Sequence, residues 1–210
     1  YKAGQHAAHF ARLVEEEVSY FAETDGRYGI ASANFDTELF GHWWLEGIGW
    51  LGNVVEKLSA SEVVELTTAS RYLSEHPPQM VMNLPEGSWG AGGTHFVWMN
   101  TDTQWMWPMI HEAEDRMADA VESFASGSEN QKAVLNQAAR ELLLLQSSDW
   151  PFLVTTGQAK EYAVERFRSH HDRFHDLVGS LETVPDTALC EDLWEKDNIF
   201  PEIQVEWYSK

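Results

Sequence analysis

Apolar residues recur every three or four positions through the second half of the chain, the spacing that places them on one face of an α-helix. The first of three such stretches follows Pro108, a residue that suits the first turn of a helix. The inward positions are Ile110, Ala113, Met117, Val121 and Phe124, then Val134, Leu135, Ala138, Leu142 and Leu145, then Ala163, Phe167, Phe174, Leu177 and Val178. The pattern predicts three packed helices, followed by an irregular tail from about Pro185 with one helical turn.

The first half of the chain alternates between two kinds of pattern. Helical spacing over residues 6–22 precedes a run of small and apolar residues at 28–35, which predicts a short buried strand. The next helix, second strand and short helix are predicted at 50–58, 63–67 and 69–75. This alternation is typical of parallel β/α units, in which functional groups project from the carboxyl ends of strands.

The charge balance restricts the classes of partner. The chain carries 34 acidic and 14 basic residues, a formal net charge of −20. Such a surface repels nucleic acids and anionic membranes and is compatible with a neutral substrate such as a polysaccharide. Solubility or adaptation to salt is the favoured explanation of the charge.

The ends of the chain and its cysteine content bear on its context. No apolar run approaches membrane-spanning length. The single cysteine, Cys190, favours a reducing compartment, and we expect a cytoplasmic protein. Because the first residue is Tyr1, we expect these 210 residues to be part of a longer polypeptide.

Asp36 and Glu38 lie within a dense mixture of acidic and aromatic residues, at the end of the first predicted strand. Aromatic walls desolvate a carboxyl group, as a general acid requires. On this interpretation Asp36 is catalytic, while Glu38 orders the loop or binds a sugar hydroxyl. The alternative is that Asp36 caps the turn that follows.

A long loop, residues 77–103, holds Trp89 and Trp98 among several glycines. Long loops in compact domains are usually functional or disordered, and the aromatic residues argue against disorder. Glycine lets a ligand approach the backbone closely, so the tryptophans could stack on sugar rings. They could instead simply pin the loop to the protein.

Two further groups have structural and functional interpretations. Asp149, beside Trp150 and before Pro151, is either a turn former or a functional carboxylate. His171 and His175 have the spacing of a pair of metal ligands on a helix. Because no Glu-x-x-His or zincin motif is found, we interpret them as part of a solvated helix face and predict neither a metal nor a cofactor.

Three segments resemble known regions of a single enzyme family. The segment from Asp36 to Gly47 resembles the fourth signature region of glycoside hydrolase family 57, in particular its 1,4-α-glucan branching enzymes. Residues 86–90 with 97–100 resemble the fifth region, and residues 147–152 resemble the helical domain of the branching members.

The resemblance implies a mainly α fold with a few short parallel strands. Residues 1–103 would form the C-terminal part of a distorted (β/α)₇ barrel, and residues 104–210 an α-helical domain. It also implies that Asp36 is the general acid/base, while the nucleophilic glutamate lies on an earlier barrel strand that is not recognisable here. The N-terminal half of the barrel would then come from the same or another chain.

The resemblance further assigns substrate contacts. Trp89 and Trp98 would line the glucan site, Asp149 would contact substrate, and His42 and Trp43 would line the pocket. A retaining mechanism needs two carboxyl groups about 5–5.5 Å apart. Asp36 would be one member of that pair, so we expect no transferase activity from these 210 residues alone.

The expected function is therefore that of a retaining α-glucan glycosyltransferase, which cleaves α-1,4 bonds and forms α-1,6 branches on glycogen or an amylose-like glucan. Two alternatives stay open. One is another activity of the same family, 4-α-glucanotransferase or amylase, which differs only in the acceptor. The other is a non-catalytic glucan-binding module.

Overall fold

Eight α-helices, joined by extended and looped segments, make up the computed structural model, which describes residues 2–208. They are α1 (Lys2–Asp25), α2 (Gly47–Ser59), α3 (Ala69–Glu75), α4 (Met106–Phe124), α5 (Glu129–Leu145), α6 (Asp149–Thr156), α7 (Lys160–Ser180) and α8 (Thr187–Lys196). Three short 3₁₀ turns lie at Thr37–Leu39, Ala91–Gly93 and Val205–Tyr208. The prediction of a mainly helical fold is confirmed. Of the helices in this range, none has the length and apolar character needed to cross a bilayer.

Contacts divide the chain into two units, which we call the N-terminal unit (Tyr1–Asn83) and the C-terminal unit (Leu84–Lys210). Each has its own group of buried apolar side chains. The sequence places its domain boundary later, after residue 103, at the end of the long loop. That assignment of barrel and helical domains stays a prediction.

The N-terminal unit is built on the packing of α1 against α2. Ala7 and Ala11 of α1 are buried, and their small side chains let the helices approach closely. The facing side of α2 is provided by Trp50, Val54 and Leu58, at the i, i+4, i+8 spacing of one helical face. These five residues are the buried core of the unit.

The two strands predicted for this unit are not formed, and this part of the prediction is wrong. Residues 28–35 and 63–67 have no regular secondary structure. Within 2–208 the backbone pairing outside helices is a single parallel bridge between Phe40 and Trp44. An extended segment becomes a strand only when a neighbour completes its ladder. Instead, both segments line an apolar cavity of about 560 Å³ together with parts of α1, α2 and α3.

In the C-terminal unit, α5 packs against α4, α7 and α8. Its first turn is closed by a capping box, in which the Ser128 hydroxyl accepts from the Gln131 amide while the Gln131 side chain accepts from the Ser128 amide. The predicted inward residues Leu135, Phe167 and Phe174 are fully buried. The helical periodicity of this region therefore identified its core correctly.

Polar side chains are also buried at the centre of this unit. The Glu141 and His170 side chains are both 0% exposed, with Glu141 Oε2 2.7 Å from His170 Nδ1. Gln137 donates to the other Glu141 oxygen at 3.3 Å and accepts from Arg140 at 3.2 Å. Arg140 Nε also donates to the carbonyl of Ile199 at 3.0 Å, which ties the tail to α5.

The tail is more ordered than the sequence predicts. It contains the ten-residue helix α8, and Leu193, Ile203 and Val205 are buried in the main core. The Val205 amide donates to Asn136 Oδ1 at 2.8 Å. The tail is thus part of the packed unit because its apolar residues cover α5.

Candidate active site

Asp36 is positioned where the extended segment ends and the 3₁₀ turn Thr37–Leu39 begins. Its backbone carbonyl accepts the Leu39 amide at 3.1 Å, but its side chain makes no capping hydrogen bond. The residue is exposed. The capping alternative therefore fails, and the carboxyl group is available to a ligand.

Two aromatic residues near Asp36 in the sequence, Phe35 and Phe40, pack toward α1 and α2. Phe35 and Phe40 contact each other, with ring centroids 5.6 Å apart, and both contact Trp50 of α2. Phe10 of α1 also packs on Trp50, at 5.1 Å. Asp36 itself is exposed, while Phe35 and Phe40 pack toward the helices. Their role here is to anchor the loop.

A tight turn gives Trp43 and Trp44 different environments. The Gly41 amide donates to the Trp44 carbonyl and the Trp44 amide to the Leu39 carbonyl, at 2.9 and 2.8 Å. Gly41 has φ +92°, a conformation that favours glycine, and a Cβ there would lie 3.1 Å from Ile48. Trp44 consequently packs on Trp50, while Trp43 is 69% exposed.

Trp43 forms a small exposed group with two other residues of this turn. Its indole N–H lies 3.4 Å from Glu38 Oε1, and the His42 ring meets it edge-on at 5.0 Å. Both residues lie on the same short loop as Asp36. This contact favours the interpretation that Glu38 orders the loop, and its role in binding a sugar hydroxyl stays a prediction.

Trp89 and Trp98 come together in the C-terminal unit. Their rings are perpendicular, with centroids 5.0 Å apart, and Trp89 is 76% exposed. Trp89 also lies 6.0 Å from Phe152 of α6. We call these three rings the aromatic platform. Because Trp89 is exposed and packs on two other rings, its indole presents an apolar face to solvent.

The loop that carries the platform is held by polar contacts and glycines. The Ser88 hydroxyl accepts the Gly90 amide at 2.9 Å and donates to the Thr94 carbonyl at 2.5 Å. A Cβ at Gly90 would lie 3.0 Å from the Trp98 ring. Asn100 donates to Thr155 of α6 at 2.8 Å, so the loop is joined directly to the helix that carries Phe152.

Asp149 is the first residue of α6 and is exposed. It makes no capping hydrogen bond, since the residue at the N-cap is Ser148. A negative charge in the first turn is favourable to the helix. Asp149 and Phe152 are three residues apart in α6, a spacing that puts two residues on neighbouring positions of a helix surface. Trp150, in contrast, is a core residue whose N–H donates to the Leu144 carbonyl at 2.8 Å.

The predicted site residues therefore fall into two groups in the structure. Asp36, His42 and Trp43 belong to one turn of the N-terminal unit. Trp89, Trp98 and Asp149 belong to the C-terminal unit, where the long loop meets α6.

Sequence reasoning missed one cluster. Ligand atoms of His171, His175 and Glu112 all lie within 4.8 Å of one another. The side chains of the two histidines are only 19% and 20% exposed, so their interpretation as a solvated face is wrong. Glu112 comes from α4, and no local pattern connects it to α7.

Comparison with known proteins shows similarity to 1,4-alpha-glucan branching enzymes. Residues 109–208 match the family model described as 1,4-alpha-glucan branching enzyme, C-terminal. The chain is 47% identical over 207 residues to a 1,4-alpha-glucan branching enzyme of Thermococcus kodakarensis, and covers 30% of its length. It is 32% identical over 182 residues to a probable 1,4-alpha-glucan branching enzyme of Mycobacterium tuberculosis, of which it covers 34%.

Solved structures of related enzymes are also similar to this chain. The T. kodakaraensis branching enzyme, described as GH57, matches with 45% identity and a TM-score of 0.73 over 99% of this chain and 39% of that one. A GH57-type branching enzyme of Pyrococcus horikoshii matches with 41% identity and a TM-score of 0.72, over 100% and 40%. The alpha-amylase AmyC of Thermotoga maritima has 31% identity and a TM-score of 0.66, over 99% and 39%.

The chain thus spans between 30% and 40% of the length of these relatives. Residues 109–208 are similar to the C-terminal domain of the 1,4-α-glucan branching enzymes, and the whole chain is similar to a part of the branching enzymes of glycoside hydrolase family 57.

Proposed function

We propose that this chain provides the acid/base carboxyl group and part of the glucan-binding surface of a retaining 1,4-α-glucan branching enzyme. The observation that carries the proposal is the Asp36 carboxyl group, exposed and free of internal hydrogen bonds on a loop that aromatic packing anchors. A rigidly held, uncommitted carboxyl group is what proton transfer to a bound substrate requires.

In this mechanism Asp36 first protonates the oxygen of an α-1,4 bond while a nucleophilic carboxylate attacks the anomeric carbon. The leaving chain departs with that proton, and a glycosyl–enzyme intermediate remains. Asp36, now ionised, then takes the proton from the 6-hydroxyl of an acceptor glucan, which attacks the intermediate and forms an α-1,6 branch. We propose a glutamate outside these 210 residues as the nucleophile.

The aromatic platform would hold the glucan, which we propose to be glycogen or an amylose-like chain. Sugar rings have apolar C–H faces bordered by hydroxyl groups. The exposed Trp89 indole matches the apolar face, and the neighbouring carboxylate of Asp149 can accept from hydroxyl groups. His42 and Trp43 would play the same part beside Asp36.

We further propose that more polypeptide, from the same or another chain, completes the barrel over the N-terminal unit. Tyr28, Ile30 and Val63 are at least half exposed, and the extended segments that carry them have no ladder partner among residues 2–208. Added strands would pair with these segments and cover their apolar side chains. A cytoplasmic location stays a prediction from the single cysteine.

The experiment uses a chimaera in which this chain replaces the matching part of the T. kodakarensis enzyme. Amylose is the substrate, and new α-1,6 linkages are counted by NMR. We expect branching by the chimaera and none by the 210-residue chain alone. Asp36→Asn should lower turnover by about 100-fold or more while maltooligosaccharide binding persists. Asp115→Asn, at an exposed position of α4, is the control and should change neither.

Other outcomes distinguish the alternatives. Longer linear chains without branches would indicate a 4-α-glucanotransferase, and new reducing ends would indicate an amylase, the activity for which the T. maritima relative is named. Unchanged turnover in Asp36→Asn would contradict the assignment of the acid/base. Glucan binding by an inactive chimaera, unaffected by that substitution, would favour a non-catalytic binding module.

A further inference from the structure

Two histidines of α7 and one glutamate of α4 converge on a single point in the C-terminal unit. His171 and His175 are one helical turn apart, with ring centroids separated by 4.3 Å. Glu112 Oε2 lies 3.0 Å from His175 Nε2. One ligand atom from each residue fits within 4.8 Å of the other two, which is the spread expected of atoms that share one cation.

The contact between His175 and Glu112 is not an ordinary hydrogen bond. His175 Nε2 is shielded from solvent and has no partner in hydrogen-bond geometry, despite its short distance from the carboxylate. A buried polar atom without a partner is costly. A cation placed between the imidazole nitrogen and the carboxylate would satisfy both at once.

Each of the two imidazoles has a ring nitrogen available to a metal. His175 Nε2 has no hydrogen-bond partner of its own. His171 Nδ1 lies 3.3 Å from Asp172 Oδ1, so a proton held there leaves Nε2 free as a donor to metal. Arg116 opposes a cation, whereas Glu112, Asp172 and the net charge of −20 attract one.

We propose that Glu112, His171 and His175 form a site for a divalent transition metal of the zinc class. Two imidazoles and one carboxylate suit Zn²⁺, whereas Ca²⁺ and Mg²⁺ prefer oxygen ligands throughout. Three protein ligands leave a fourth position for water. Because the ligands come from α4 and α7, the ion joins the two helices and stabilises their packing. None of the three residues belongs to the proposed glucan site.

Titration calorimetry of the 210-residue chain with ZnCl₂, after treatment with a chelator and at about pH 7.5, tests the proposal. Excess Mg²⁺ occupies the many acidic groups that bind cations non-specifically. We expect one Zn²⁺ per chain and a higher thermal unfolding midpoint in its presence. Co²⁺ in place of Zn²⁺ should give the intense visible absorption of a low-coordinate site.

Ligand variants decide the outcome. His175→Ala and Glu112→Gln should each weaken binding at least tenfold and abolish the zinc-dependent rise in midpoint. His111→Ala is the matched control, because His111 pairs with Glu114 at 3.0 Å on the same helix α4 but has no second histidine beside it. Circular dichroism without metal checks that each variant folds, and His171→Gln provides a milder change should His175→Ala unfold.

Three results would overturn the site: no zinc binding in the presence of Mg²⁺, binding by His175→Ala equal to that of the parent, or equal weakening in the His111→Ala control. The first would leave the cluster as a histidine–glutamate contact between α4 and α7. The other two would place the bound zinc elsewhere on the acidic surface.

Discussion

At the scale of single residues, Trp89 is the side chain whose exposure most needs an explanation. About three quarters of its surface faces solvent, yet its ring rests edge-on against Trp98 and adjoins Phe152. A contiguous group of exposed aromatic rings, unlike a single exposed ring, is a candidate ligand surface. The supporting rings restrict its motion, which reduces the entropy lost when a ligand stacks on it.

We therefore expect Trp89→Ala to weaken binding of maltooligosaccharide by roughly tenfold, through lost apolar contact. Trp89→Phe should lose less, because a smaller flat ring remains. Trp207→Ala removes another tryptophan of the same unit, 65% exposed, and should leave binding unchanged. Calorimetric titration of the chain with a maltooligosaccharide measures all three. Equal losses of affinity in Trp89→Ala and Trp207→Ala would show that the aromatic platform is not part of the glucan site.

Glu141 raises a different question, because a carboxyl group at the centre of an apolar core is costly unless it is well paired. Here it meets His170 at 2.7 Å and Gln137 at 3.3 Å, with Arg173 Nη1 3.9 Å away. The Trp150 ring is stacked over His170 with centroids 6.2 Å apart. The network therefore links α5 and α7 at the start of α6.

Truncation of this carboxyl group by Glu141→Ala should lower the free energy of unfolding by about 3–5 kcal/mol, because it leaves buried partners unpaired. Glu141→Gln keeps hydrogen-bonding atoms in place and should cost less, about 1–3 kcal/mol. The exposed Glu122→Ala on α4 should stay within about 0.5 kcal/mol of the parent. Urea denaturation compares them. A loss in Glu141→Ala no larger than in Glu122→Ala would show that the network adds no stability.

At the scale of elements, the loop between Leu84 and Trp105 gains its shape from glycine positions that serve different purposes. Gly92 and Gly93 have φ of +68° and +72°, which other residues rarely adopt. Gly90 has ordinary backbone angles but sits against the Trp98 ring and the Thr94 carbonyl. The first two allow the turn, and the third allows the tryptophan to close over the backbone.

Gly90→Ala should therefore displace Trp98, because the added Cβ would lie 3.0 Å from its ring. We expect weaker near-ultraviolet circular dichroism from the Trp89–Trp98 pair and a loss of about 1–3 kcal/mol in local stability. Gly179→Ala in α7 is the control, since a Cβ there meets nothing within 4 Å. It should stabilise the chain by roughly 0.5–1 kcal/mol. An unchanged tryptophan spectrum in Gly90→Ala would show that the loop tolerates the methyl group.

Helix α6 shows why an element can be hidden from sequence reasoning. The run from Ser147 to Phe152 resembles a sharp corner because it contains a proline between aromatic residues. In the structure Pro151 is the third residue of the helix, where its missing N–H removes no internal hydrogen bond. Gly157, with φ +71°, then ends the helix. Proline within the first turn is compatible with a helix, and tertiary packing of Trp150 selects it here.

At the scale of the whole molecule, the two units differ in how many apolar side chains they bury. Among the described residues, the N-terminal unit has five buried apolar residues in its core, and the C-terminal unit has 23. A small core seldom outweighs the conformational entropy lost on folding. The N-terminal unit also leaves an apolar cavity lined by its extended segments.

We expect residues 84–210, expressed alone, to unfold cooperatively on heating, with a helical circular dichroism spectrum. Residues 1–83 alone should show a broad, non-cooperative transition, because five buried residues support them. Thermal scans of both fragments measure this difference. A sharp transition for residues 1–83 would contradict the proposal that the N-terminal unit needs further polypeptide to complete its core.

The sequence by itself determined the helical character of the chain, the apolar faces of α4, α5 and α7, and the candidates Asp36, Trp89, Trp98 and Asp149. These features are local, since helical hydrogen bonds and amphipathic spacing involve residues only a few positions apart. Only the tertiary structure decided that residues 28–35 and 63–67 are not strands and that Glu112 joins His171 and His175. It also decided that Asp36 is exposed while Trp44 is packed inward. Strand pairing, burial and the convergence of side chains depend on residues far apart in the sequence. The spacing of apolar residues does not show which of these distant residues are in contact.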